Sequence, residues 1–306
     1  MKIKLRKIAI IFTAILTIGS VTFVASCDKE KNESTLPNNG KSICEGSLPF
    51  DYIGEQHNAF LYAIGEMYQD TMTLYAKMAD EQTLDAEMQE RLVKKMIDNL
   101  AVIEGEYKIL GVDGETMNEY SKNIYSFLDM DNFNKYFFNS KMEGVLKQLL
   151  EKIEDCSDIN EQREIVRAQE VVILENAKSL YDTCLVITLN VFEHSLAFWT
   201  DAYENEKNPW HNYLIATDNL ELDVSFNTKS NILQGLGRVI TNIKDKVVEV
   251  YHEVVKPTAA KLAKLALVDA GAAAVYSWTT PLAPGWVAAS AIATSAGAGF
   301  LNWRTL

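Results

Sequence analysis

Four histidines (His57, His194, His211, His252) and four cysteines (Cys27, Cys44, Cys156, Cys184) are the side chains most able to do chemistry. Glu249 and His252 have the i, i+3 spacing found in di-iron carboxylate helices. Such a centre needs that motif twice plus two more glutamates, and no second Glu-x-x-His is present. His252-Glu253-Val-Val-Lys256 opens like a zinc-protease helix but has Lys where the second His must stand. No Cys-x-x-Cys, Gly-x-Ser-x-Gly or phosphate-binding loop occurs, and Gly235-Leu-Gly237 alone is no dinucleotide fingerprint. The expectation is therefore no catalytic residues, no metal and no cofactor.

His57 reads differently. It lies on an apolar stripe, four residues after Ile53 and seven before Ile64. Together with Asn58 it is expected to cap or bridge to a neighbouring helix through buried hydrogen bonds, a reading favoured over a ligand role. Phe198-Trp199 and Trp210-His211, with Tyr203 and Tyr213, are expected to close the end of a core. A platform for sugars or peptides is the alternative. A Cys156–Cys184 disulfide is permitted by an exported location but not established by the sequence.

These residues sit in long helical patterns. No proline occurs between Asp51 and Lys207, which argues against a sheet protein. The spacing of Ile53, Phe60, Leu61, Ile64, Met67, Tyr68, Leu74, Tyr75 and Met78 predicts a helix over Asp51–Ala79. Further helices are expected over Thr83–Leu110, ending at Gly111, then over Glu115–Leu128 and Asn132–Asp155. The longest segment starts behind the N-cap candidates Ser157 and Asp158 and runs towards Glu204. It is long enough to require a kink or break. Its centre, Cys184 to Phe192, is apolar on nearly every side and is expected in the middle of a bundle. The fold class is thus all-α: a bundle of five to six long helices plus an apolar C-terminal helical hairpin. The expected division is 1–26 signal, 27–49 lipid-bearing cysteine and flexible tether, and 50–206 bundle. A loop over 207–228, a helix over 229–256 and a hairpin over 257–306 follow.

The N-terminus gives an address. Lys2, Lys4, Arg6 and Lys7 precede an apolar run, and small residues follow at Val24-Ala25-Ser26. This is the layout of a secretory signal. The apolar run Ile8 to Ile18 is about half the ~20 residues of a spanning helix, which disfavours an uncut anchor. Val24-Ala25-Ser26-Cys27 resembles the lipobox of bacterial lipoproteins. The resemblance implies cleavage between Ser26 and Cys27, acylation of the Cys27 thiol, and tethering to a membrane. Several acyl chains at ~0.8 kcal/mol per buried CH₂ would hold the chain firmly. Residues 28–47 behind Cys27 read as a flexible tether, with a reach of roughly 25 Å.

Cleavage would remove four basic residues and no acid, making the net charge of −13 more negative still. So acidic a chain repels phosphate backbones, which excludes nucleic acid as the expected partner. Asp28 behind the cysteine would suggest inner-membrane retention under enterobacterial sorting, whereas the charged run Lys29, Glu30 and Lys31 resembles surface-export signals of the Bacteroidota and points to the outer membrane or cell surface. Gly54-Glu-Gln-His57-Asn58-x-x-Leu61 and the overall layout resemble uncharacterised exported helical lipoproteins of that phylum with an Ala/Gly-rich tail. That resemblance implies no activity.

The tail is the remaining feature. From Ala270 to Trp303 no residue is charged, and Pro281 and Pro284 divide the tract into two arms. Gly285, Ala289, Ala293 and Gly297 recur every four residues and would form one small-residue ridge. Trp278, Trp286 and Trp303 lie near the arm ends. The tract resembles the hydrophobic hairpins of pore-forming bacteriocins and glycine-zipper tails. That likeness implies entry into a membrane or packing into an oligomer. Alanine and the interspersed Ser and Thr supply little insertion energy, so burial against the bundle is favoured. The expected function is a membrane-anchored, non-enzymatic envelope protein binding an unknown protein or glycan. The alternative is a membrane-active or pore-forming protein acting through the tail.

Overall fold

The computed structural model describes residues 48–127 and 158–218, with 144, 145, 148, 149, 152, 153, 156, 266, 269, 270, 273 and 292. All belong to the unit that begins at Leu48. Of the described residues 80% are helical and none is in a strand, so the chain is all-α.

Helix α1 spans Asp51–Met67 and α2 spans Gln69–Asp80. The sequence pattern runs through this stretch as one helix, but Tyr68 interrupts it (φ −104°, ψ 9°). Helix α3 (Ala86–Asp98) and α4 (Leu100–Tyr107) are likewise parted at Asn99 (φ −104°, ψ 5°). The two breaks are bonded to each other: Asn99 Nδ2 donates to the Tyr68 hydroxyl at 2.9 Å, and that hydroxyl donates to Lys95 O at 3.1 Å. A contact between distant residues thus interrupts two apolar stripes that continue unbroken in the sequence.

Helix α4 stops three residues before the expected Leu110. Lys108 adopts the left-handed conformation (φ 52°). The buried Glu104 carboxylate then takes the amides of Leu110 and Val112 at 3.0 to 3.2 Å. Those amides are satisfied by a side chain, not by another helical turn. Helix α5, Gly114–Phe127, follows close to its expected bounds, with Asp113 accepting from Thr116 N at 2.7 Å.

The long segment breaks into α6, Ile159–Glu175, and α7, Leu180–Glu204. Asp158 caps α6 through Asn160 N at 2.8 Å. Ser179 and Asp182 form a reciprocal capping box that starts α7 afresh. As its composition predicts, α7 is buried along most of its length, including Cys184, Leu185, Val186, Leu189, Val191 and Phe192. It packs against α6 and α1. Cys156 and Cys184 are not joined by a disulfide.

Within the expected 207–228 loop, His211–Asp218 form helix α8, packed on α2. A turn built on Asn208, which bonds Asp201 Oδ2 and Trp210 N, sends the chain back onto the core. Ala266, Ala270, Ala273 and Ile292 are wholly buried in the main core cluster. The other residues of the C-terminal tract, including Gly285, Ala289, Ala293, Gly297 and the three tryptophans, lie outside the described residues. So do Ser26, Cys27, the tether, Glu249 and His252.

Candidate functional site

The polar centre of the molecule lies where α1, α6 and α7 meet. Each helix contributes residues at helical spacing: Asp51, Gly54 and Asn58 from α1, Arg163, Arg167 and Glu170 from α6, and Asn190, Glu193 and His194 from α7. The Arg167 fork donates to both oxygens of Asp51, at 2.8 and 3.3 Å. Asn190 Nδ2 donates to Asp51 Oδ1 at 2.9 Å, and its Oδ1 accepts from Gly54 N at 3.1 Å. Arg163 Nε donates to Glu193 Oε1 at 2.7 Å. Glu193 is 3% exposed, so this pair works in a medium where charge interactions are strong and unpaired charge is costly.

Gly54 explains how close the helices come. A Cβ there would overlap the His194 ring and stand 2.8 Å from Asn190 Oδ1. Any side chain would push α1 off α7 and pull Asp51 away from Asn190. Asn58 Nδ2 donates to His194 O at 2.8 Å, so Asn58 bridges from α1 to α7 as the sequence suggested. The Gly54 to Asn58 signature is in physical terms a helix-docking motif.

His57 opens a second cluster beside the first. It is completely buried, with Nδ1 donating to Asn58 Oδ1 at 3.0 Å. That bond leaves a lone pair on Nε2, which faces Asp269 Oδ2 at 3.8 Å without hydrogen-bonding it. Burial, and secondarily the neighbouring His194, hold the imidazole down at about 4 against the pull of Asn58, so it is neutral at neutral pH. Asp269 Oδ2 accepts from Trp199 Nε1 at 2.8 Å and from the Ser195 hydroxyl.

Ser195, His57 and Asp269 are the residue types of a nucleophilic triad, but their order is wrong for one. The carboxylate stands between hydroxyl and imidazole, so Ser195 Oγ is held by Asp269 and the His57 imidazole does not reach it. All three are wholly buried. Among the described residues no group of three or more His, Cys, Asp or Glu is placed to hold a metal ion.

The aromatic residues close a core. Trp199, Trp210 and Tyr213 are fully buried, with Trp199 and Trp210 edge to face at 5.5 Å. Trp210 Nε1 donates to Leu61 O at 2.8 Å. Gly65 makes room, since a Cβ there would lie 2.6 Å from that nitrogen. A surface platform for sugars is thereby overturned for Trp199 and Trp210.

Sequence reading missed Asp51, Glu170, Glu193, Ser195 and Asp269. Asp269 did carry a signal: it is the last acid before the uncharged tract, flanked by apolar residues on a helical arm.

The fold and this centre define an all-α protein with a buried polar seam between helices. No protein-family model matches the chain, and no curated protein or solved structure matches it.

Proposed function

We propose that the protein is a lipid-anchored, non-enzymatic component of the bacterial cell envelope. Acyl chains on Cys27 hold it, through the tether, at the outer membrane or cell surface, and the helical body binds a protein or glycan partner. The complete body is a bundle of five to six long helices, some of them broken into two like α1–α2 and α3–α4, closed by the C-terminal hairpin. The observation that carries the non-enzymatic reading is the use made of Ser195, Trp199 and Asp269 as a buried cross-link, with His57 shut in beside it. The anchoring rests on Val24-Ala25-Ser26-Cys27.

Cys27→Ser tests the anchor. The variant is expected to lose incorporation of labelled palmitate and to leave the membrane fraction. A variant still in that fraction would mean that another segment holds the protein.

The uncharged tract from Ala270 to Trp303 favours a second reading, a membrane-active tail. Burial of Ala266, Ala270, Ala273 and Ile292 supports the packed form instead. Vesicle leakage by the full-length protein, abolished by deleting the tail, would favour the second reading. Among the described residues no helix is long and apolar enough to cross a membrane.

A further inference from the structure

The seam between α1, α6 and α7 holds three carboxyl groups and two guanidinium groups. Asp51 is taken up by Arg167 and Asn190, and Glu193 by Arg163, with Arg167 Nη1 4.0 Å from its second oxygen. These two acids balance the two arginines. Glu170 is the third acid and has no cation left to itself. It lies one turn beyond Arg167 on the same face of α6 and is wholly buried. Neither of its carboxyl oxygens has a hydrogen-bond partner of good geometry. The groups that face it are Asp51 from α1, Asn190 and Glu193 from α7, and Arg167 from its own helix. His194 lies beside Glu193 at 3.4 Å, and burial lowers its imidazole against the pull of Glu193 and Asp51.

We propose that Glu170 is a proton-operated latch on this seam: protonated, it completes a charge-balanced contact between three helices, and ionised, it loosens that contact. The step is a simple acid dissociation, with the proton passing to solvent water and the electron pair staying on the carboxylate. An ionised Glu170 stands as an excess charge in a site that excludes water, a situation relieved by reprotonation or by parting of the helices. Burial and the Asp51 charge push the acid up to about 8, against Arg167, with Glu193 adding to the shift and Asn190 opposing it. The folded value is raised above the unfolded one. The stabilising contribution is therefore complete below the ordinary glutamate range and is lost as pH rises through about 8. A protein exposed to a changing medium would hold its α1–α6–α7 contact tightest in mild acid.

The test counts protons. Full-length protein in detergent is unfolded with denaturant in weakly buffered solution near pH 7, and the proton exchange is read with an indicator dye. Wild type should release about one proton more than Glu170→Gln. Asp51→Asn should also remove that release, because Glu170 can then ionise opposite Arg167 while the fold is intact. Equal counts in wild type and Glu170→Gln would overturn the proposal. Infrared spectroscopy of the folded wild type gives a reading that needs no variant. A protonated-carboxyl band at neutral pH, fading on the alkaline side, is the expected result, and its absence at neutral pH would overturn the latch outright.

Discussion

Helix α1 is fixed to α7 and its neighbours in two different ways along its length. Near its start, Asp51, Gly54 and Asn58 meet Asn190, Glu193, His194 and Arg167 in a charged, hydrogen-bonded seam. Near its end, Leu61 and Gly65 receive the Trp210 indole, itself packed on Trp199. The first contact is specific and depends on who holds each proton. The second is an aromatic fit, in which the Trp210 indole donates to a backbone carbonyl. Each uses a glycine at the point of closest approach. A glycine on a buried helical face therefore marks docking here whether the docked partner is an imidazole or an indole.

Substitutions at the two ends should separate them. The largest effect is expected from Trp210→Ala, a loss of about 4 kcal/mol from a fully buried indole. Denaturant titration should find that loss constant across pH. A strong pH dependence would show that the aromatic end is coupled to the seam. Arg167→Met comes next, at about 3 kcal/mol near neutrality, because it strands Asp51 and weakens the hold on Glu193. The same denaturant titration reads that loss.

His57 gives the third comparison. Burial holds its folded value at about 4, below the ordinary imidazole value of 6.5. The unfolded chain gains a proton as pH falls through about 6.5, whereas the folded chain does not until about 4. Stability should fall across that window by roughly 3 kcal/mol. His57→Gln should flatten this acid limb, and an unchanged limb would locate the titration elsewhere. The smallest effect is Ser179→Ala, about 1 kcal/mol from the lost cap of α7, felt equally by both ends.

The two ends were not equally legible in the sequence. The aromatic end was read correctly because Trp199 and Trp210 are large and apolar, and the favoured use of such residues is a core. The fold class followed from the proline-free helical pattern, and Asp158 was visible as a cap. The seam was illegible for a physical reason. Arg163, Arg167 and Glu170 form the charged stripe that an exposed helix would show, and their partner Asp51 is 116 positions away from Arg167. Charge spacing along one helix cannot tell which face is turned inward. Only the Gly54 to Asn58 half was noticed, because His57 interrupts an apolar stripe. Ser179-x-x-Asp182 was readable as a capping box and would have placed the break between α6 and α7. The breaks at Tyr68 and Asn99 were not readable, since neither is a proline or glycine and each depends on the other.

That last pairing has a mechanical consequence. The rods α1–α2 and α3–α4 each carry one joint, and the Tyr68 hydroxyl, bonded to Asn99 Nδ2 and to Lys95 O, ties the joints together. Bending either rod at its joint must strain the tie or bend the other rod with it, so the four helices act as a linkage with coupled hinges.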